Sequence, residues 1–488
     1  MNPPTSPGRR RSSAAAEWSL AVAMTAVAWS PSIGAALVWG SVAVFLSWGL
    51  WTGVGLPALW ALSGLMRAVG RAREPLPGRA VRPGDQPELT ALVKEVVERI
   101  GFRAPLLVRI VPEPNAALGP ARVSGVRSHV LLLGLPLLRT MTSAQLAAVV
   151  AHELAHEREV SDRRTVWLTR ARAALQERLD GRLGLLTPLV APLLRASGQR
   201  AWETELAADA ISVRVAGVVA VRGALERTSL LDEAFHGLGE RWLAELAEED
   251  TYPEDFYAAF DAALRDPYVA RRSAQLAAET TDPYGLASHP PIARRLAALP
   301  DAGDEGQDGT EPVTLRGADA LERWCVRELA GLRGHDGAGD PPGAPRPVRL
   351  LGPDGRRVPG TAGDGGALRE ATGAGSAAEA VLVALDAVAE GDGPRLARRI
   401  EPRLRWVPRA ERPSAVRAVL VGSVAEALSA ALRGSGWRSA GRWMGTVVTA
   451  PDGTVLDLHD VLAATVDGGD PGAVRVLLRS AVPTGVAA

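Results

Sequence analysis

A mostly helical α+β fold with a small antiparallel sheet, preceded by a transmembrane helical hairpin, is predicted by three observations. Residues 18–66 contain no Asp, Glu, Lys or Arg. Two short apolar runs, 105–111 and 129–133, are rich in Val, Leu and Ile and flank a turn-rich segment, as strands do. Elsewhere apolar residues recur mostly at helical spacing.

Taken in order, residues 1–16 are rich in Pro, Ser and Arg and read as a disordered tail. The uncharged run would be about 74 Å long as helix, at about 1.5 Å per residue. One crossing of a roughly 30 Å hydrocarbon core uses about 20 residues. Two spans, near 18–39 and 43–66, therefore fit within a membrane region of residues 17–68. Arg9, Arg10 and Arg11 precede it, and Arg67, Arg71 and Arg73 follow it. The positive-inside rule then places both ends in the cytoplasm, with the following domain facing it from the cell membrane. The apolar stretch far exceeds the roughly 7–15 residues of a signal-peptide core, which argues against a cleaved leader.

Residues 69–300 form the next domain. Leu89, Leu92, Val93, Val96 and Val97 make 87–100 an amphipathic helix. Thr142 and Gln145 have capping-box spacing, and Leu146, Val149, Val150 and Leu154 follow at helical intervals with no Gly or Pro from 143 to 160. That helix carries His152-Glu153-Leu154-Ala155-His156. Two imidazoles four residues apart share a helix face and can close on one metal ion, and the adjacent Glu153 can handle the proton of an activated water. A catalytic zinc site needs a third protein ligand and an open corner. The chain has a single cysteine, Cys325, so the remaining donor must be a histidine or a carboxylate. A second predicted helix, 202–211, offers Glu205 and Asp209 on one face. Glu205 is assigned to the metal and Asp209 to orienting a ligand histidine, with Glu203 as the competing ligand. Ala207, Ala208 and Ala210 leave room for close helix approach.

Together with Glu205-Leu-Ala-Ala-Asp209, the His-Glu-x-x-His helix resembles metallopeptidase family 48. This family comprises the gluzincin-type membrane zinc peptidases of the HtpX heat-shock and CaaX prenyl-protease kind. Pro114-Asn115-Ala116-Ala117, the strand His129–Leu135, and Ser288-His289-Pro290-Pro291 with Arg294, Arg295 and Leu296 resemble further family segments in family order. The resemblance covers roughly 80–300. It implies a zincin-like peptidase domain binding one Zn2+ per chain through His152, His156 and Glu205, with Glu153 as catalytic base. His289 or Arg294 is expected near the reacting oxygen, and Asn115 or Arg294 near the substrate. It also makes Val130–Gly134 a cleft wall on which an extended substrate adds as a strand. One departure matters: relatives of the HtpX type place membrane helices between the two motifs. Here residues 183–194 hold two prolines and are too short to span, so a buried or interfacial helix is expected.

The aromatic residues between 235 and 268 are expected in a helical core. Residues 301–375 are dense in Gly, Pro and Asp and read as a linker with a short helix at 317–332 and a turn at 353–355. Residues 376–488 combine helices at 377–390 and 414–433 with a hairpin across Pro451-Asp452-Gly453, and carry no catalytic motif. Acidic and basic residues number 55 each, so nothing pulls the chain toward nucleic acid. No disulfide can form within the chain, in keeping with a reducing compartment. The resulting expectation is a membrane-anchored zinc metalloendopeptidase acting on protein or peptide substrates, with membrane protein quality control as its setting. The alternatives are a signalling sensor-protease and a catalytically silent membrane scaffold. The sequence leaves the oligomeric state open.

Overall fold

A computed structural model describes residues 17–27, 76–123, 126–159, five positions between 167 and 175, 187–277, 289–301, 311–332, 343–351, 365–407, 409, 411–440, 442–468 and 470–480. The chain divides into two units. One comprises residues 1–77, 156–207 and 285–289, the other 78–155, 208–284 and 290–488. The division runs inside two continuous helices, Ser143–Glu159 and Thr187–Ala216.

The second unit begins with a four-stranded sheet of β1 (Arg79–Ala80), β2 (Leu106–Val111), β3 (Ala116–Val123) and β4 (Val126–Gly134), in the order β1-β2-β4-β3. The antiparallel sheet expected from sequence is in fact mixed, because β2 and β4 run parallel while the other pairs are antiparallel. The cause is a crossing. Residues 112–115 pass over the end of β4 so that β3 can return on its outer side. A Cβ at Gly134 would lie 2.1 Å from the Glu113 carbonyl oxygen, so only glycine admits that passage. The Gly134 amide donates to the Asn115 carbonyl at 2.7 Å and holds the loop there. β4 is therefore paired on both edges, and strand addition at Val130–Gly134 is blocked.

Helix α2 (Pro87–Ile100) follows its sequence pattern. It buries Leu89, Val93, Val96 and Ile100 and stops at Gly101, whose φ of 74° is a left-handed cap. After the short helix α3 (Leu135–Thr140), α4 (Ser143–Glu159) opens on the expected capping box. The Gln145 amide donates to Thr142 Oγ1 and the Thr142 amide donates to Gln145 Oε1, both at 3.2 Å. Thr142→Ala is expected to cost about 1 kcal/mol in a denaturant titration. An unchanged midpoint would show the cap to be idle.

Helices α5 (Thr187–Ala216), α6 (Val218–Ala234), α7 (Glu240–Glu248), α8 (Phe256–Leu264), α9 (Pro267–Ala277) and α10 (Ile292–Ala298) follow, with a π-turn at Phe235–Gly239 and strand β5 at Thr251–Pro253. Phe235, Trp242, Tyr252, Phe256, Tyr257 and Phe260 are buried in one core with Leu89, Leu131 and Leu154, as helical patterning implied. This core does not close at residue 300. Of the stretch expected as a linker, 311–332 and 343–351 are built into it. Helix α11 (Ala318–Leu329) contributes Leu321, Cys325 and Val326, and Leu350 joins them. Strand β6 (Arg346–Val348) pairs parallel with β5. The Asp255 carboxylate accepts from the amides of Leu350 and Leu351 at 2.8 Å each. Arg139 bridges Asp261 and Glu322. Glycine and proline marked this stretch as loose by local composition, but tertiary hydrogen bonds hold it. The turn at 353–355 lies outside the described residues.

The remaining residues build a second core from α12 (Gly366–Thr372), α13 (Ala377–Ala389), α14 (Gly393–Ile400), α15 (Arg412–Arg433), the antiparallel strands β7 (Arg438–Ser439), β8 (Val447–Thr449) and β9 (Val455–Asp457), α16 (Leu458–Gly468) and α17 (Gly472–Ser480). The hairpin across 451–453 forms as expected. Among the described residues α15 alone is long and apolar enough to cross a membrane by itself, yet 56% of its apolar window is buried, with Val421, Val424 and Leu428 in the core. Trp443, from the C-terminal stretch, belongs to the first core: it is buried and stands 5.0 Å from Trp242, centroid to centroid.

In the first unit, α1 (Glu17–Val27) is helical, and the rest of the expected membrane hairpin, 28–68, lies outside the described residues. The apolar stretch 183–194 enters α5 from residue 187, and Val190 and Leu194 pack against Ala21 and Met24 of α1. Arg172 is buried there and donates to the Leu194 carbonyl at 2.6 Å and to Ser197 Oγ at 2.7 Å.

Candidate metal centre

Small side chains bring α4 and α5 together. Ala155, Ala208 and Ile211 form a buried cluster, and Ser212 Oγ donates to the Ala148 carbonyl at 2.6 Å. On α4, His152 and His156 lie one turn apart. On α5, Glu205 is 6% exposed and Asp209 3%. One donor atom from each of His152, His156 and Glu205 lies within 4.8 Å of the other two. His156 Nε2 and Glu205 Oε1 are 3.2 Å apart. That separation matches the edge of a tetrahedron with bonds of about 2.0 Å, roughly 3.3 Å.

Two of the three donors, His152 and Glu205, are held from behind. His152 Nδ1 lies 3.0 Å from Asp209 Oδ1. Such a contact fixes a histidine tautomer and leaves Nε2 as the donating nitrogen. Asp209 is in turn gripped by Arg295, whose Nε and Nη2 donate to its two oxygens at 2.9 and 2.6 Å. Burial pushes the Asp209 carboxyl up, but the hydrogen bonds and charges of His152 and Arg295 outweigh it and hold the group below its ordinary value. Arg295 Nη2 also lies 3.4 Å from the His152 ring. The second oxygen of Glu205 meets His289 Nδ1 at 2.7 Å, and the His289 side chain is 60% exposed.

The other expected residues are placed differently. Glu153 is half-buried beside His152 on α4. Glu203, the rival ligand, is exposed and pairs with Arg200 at 3.1 Å. Asn115 and Arg294 are exposed, and the Asn115 backbone is spent on the crossing at Gly134. Cys325 is fully buried, and burial pushes its thiol up to about 12, so it offers no thiolate nucleophile.

Arg295 is the residue to which sequence reasoning gave no role. A signal was present. Ile292, Leu296 and Leu299 pack against Ala220, Val221 and Ala224 of α6. That spacing turns position 295, not 294, toward the protein interior.

No curated protein and no solved structure matches the chain. The model of Peptidase family M48 does match, over residues 83–302, a range that holds α4, the acidic helix α5 and Arg295. This segment of the chain belongs to peptidase family M48.

Proposed function

We propose that the chain is a membrane-anchored zinc metalloendopeptidase carrying one Zn2+ held by His152, His156 and Glu205. The observation that carries this reading is the convergence of those three donors within 4.8 Å. Two imidazoles and a carboxylate suit zinc and leave a fourth corner for water and substrate. When bound, the ion supplies Lewis acidity that polarises the attacking water and the scissile carbonyl.

The chain supplies the proton handling and the positioning. Glu153, one residue from the first ligand, takes the proton of the attacking water and returns it to the leaving amine. Asp209 and Arg295 keep His152 in one tautomer. His289 holds the free oxygen of Glu205, which favours a positioning role over donation to the reacting carbonyl. Asn115 and Arg294 are read as substrate contacts, since both are exposed. Substrate pairing moves from β4 to its neighbour β3, one of the two edge strands of the sheet. Pro120 lies in β3, and proline is tolerated on edge strands.

A silent scaffold would have no use for Glu153 beside an assembled ligand set. The sensor-protease reading gains support from the packing of Trp443 on Trp242, which inserts a side chain of the C-terminal stretch into the peptidase core. The uncharged run of 18–66 supports anchoring, and its flanking arginines support a cytoplasmic site. Quality control of membrane proteins is the role this arrangement suits.

The test uses purified full-length protein. Elemental analysis should find one zinc per chain, and a chelator should stop casein cleavage until zinc is restored. Cleavage undiminished after the metal is stripped would sink the reading.

A further inference from the structure

Helix α1 has two unlike faces. Ala21 and Met24 are buried against Leu168, Leu175, Val190 and Leu194. On the other side Trp18 and Val22 are 40% and 59% exposed. Trp167 stands beside Trp18 with ring centroids 6.3 Å apart, and is itself 47% exposed. Two neighbouring indoles and a valine on one surface ask for a cover.

Three facts identify it. The face opens the longest uncharged run of the chain, 18–66. Residues 160–200, which include Trp167, carry eight arginines, one of them the buried Arg172, against three acidic residues, in a chain whose formal charge is +0. Finally, an ion pair, Arg200 with Glu17 at 3.7 Å, sits at the Trp18 end of the helix. Indole beside a charged rim, next to an apolar helix and within a basic segment, is the composition of a headgroup boundary.

We propose that Trp18, Val22 and Trp167 form a docking face for an anionic lipid bilayer. The segment between the two ligand motifs then lies on the membrane surface, neither spanning it nor free of it. Glu205 follows Arg200 by five residues on α5, about 7.5 Å along the helix axis. Peptide bonds therefore reach the ligands close to the headgroups, and the fitting substrates are chain segments that flank membrane spans. That last step rests on the peptidase reading, whereas the docking face does not.

The test places a spin label on Trp167→Cys in the full-length protein, reconstituted into vesicles of phosphatidylcholine alone or with one quarter phosphatidylglycerol. Cys325 is fully buried, and labelled wild type gives the background. With phosphatidylglycerol, collisions with lipid-soluble oxygen should exceed those with a water-soluble nickel chelate. A label on Val476→Cys, 61% exposed in the wild type, should report the reverse. A water-like label at 167 in anionic vesicles overturns the proposal. Equal lipid exposure without phosphatidylglycerol overturns the anionic assignment. Shielding from both reagents in lipid-free detergent means that protein covers the face, which also overturns it. As a second measurement, Trp167→Tyr should remove part of the fluorescence quenched by brominated phosphatidylglycerol in the wild type. All readouts should persist in a Glu153→Gln background, so failure of docking and failure of catalysis are separable.

Discussion

Glu153→Gln is expected to retain one zinc ion per chain while losing casein cleavage by about 10²–10⁴-fold. The side chain keeps its size, and Glu153 is not among the three converging donors. An amide cannot accept the proton of an attacking water or return it to the leaving amine, so the loss falls on turnover while the metal stays. The measurements are single-turnover cleavage and elemental analysis on the same preparation. Wild-type rates in the variant would remove Glu153 from the mechanism. Loss of zinc would instead make it a ligand and displace Glu205. Glu203→Gln, on the exposed side of α5, serves as the control and should change neither quantity.

Arg295→Met is expected to have the largest effect on stability. Arg295 is 8% exposed and Asp209 3%, so the variant leaves a buried carboxylate without its main partner. Breaking such a pair costs about 3–5 kcal/mol, and loss of support behind a histidine ligand weakens metal affinity by about 10–100-fold. Denaturant unfolding in chelator and zinc titration measure the two separately. The pH dependence has a definite sign. In the wild type the folded Asp209 value lies below its unfolded value of about 3.9. Its stabilisation is therefore complete above that value and is lost as the pH falls through the lower folded one. In Arg295→Met, burial acts with less opposition and the carboxyl protonates at a higher pH. The stability gap between the two proteins should be widest near neutrality and narrow on acidification. A gap independent of pH would mean that Arg295 acts through packing alone.

Local chemistry was legible where local chemistry decides. The Thr142–Gln145 box, the single face shared by His152 and His156, and the spacing of Glu205 from Asp209 all follow from helix geometry, which needs no knowledge of the rest of the chain. Three features were not legible for the same reason. The parallel pairing of β2 with β4 depends on a loop passing over Gly134, and nothing near residue 134 announces a neighbour 20 residues upstream. The Asp255 carboxylate holds 350–351 in place from nearly a hundred residues away, against a composition that spells linker. Arg294 and Arg295 are identical side by side, and only the apolar rhythm of Ile292, Leu296 and Leu299 separates them.

The placement of 311–332 and 343–351 in the core that also holds α4 has a consequence for biosynthesis. Leu350 shares its core with Leu89 and Leu154. During translation the ligand helices leave the ribosome long before the residues that complete their packing. The nascent chain thus carries His152, His156 and Glu205 in an unfinished scaffold until position 351 has emerged, so the convergence of these three side chains is completed late in synthesis.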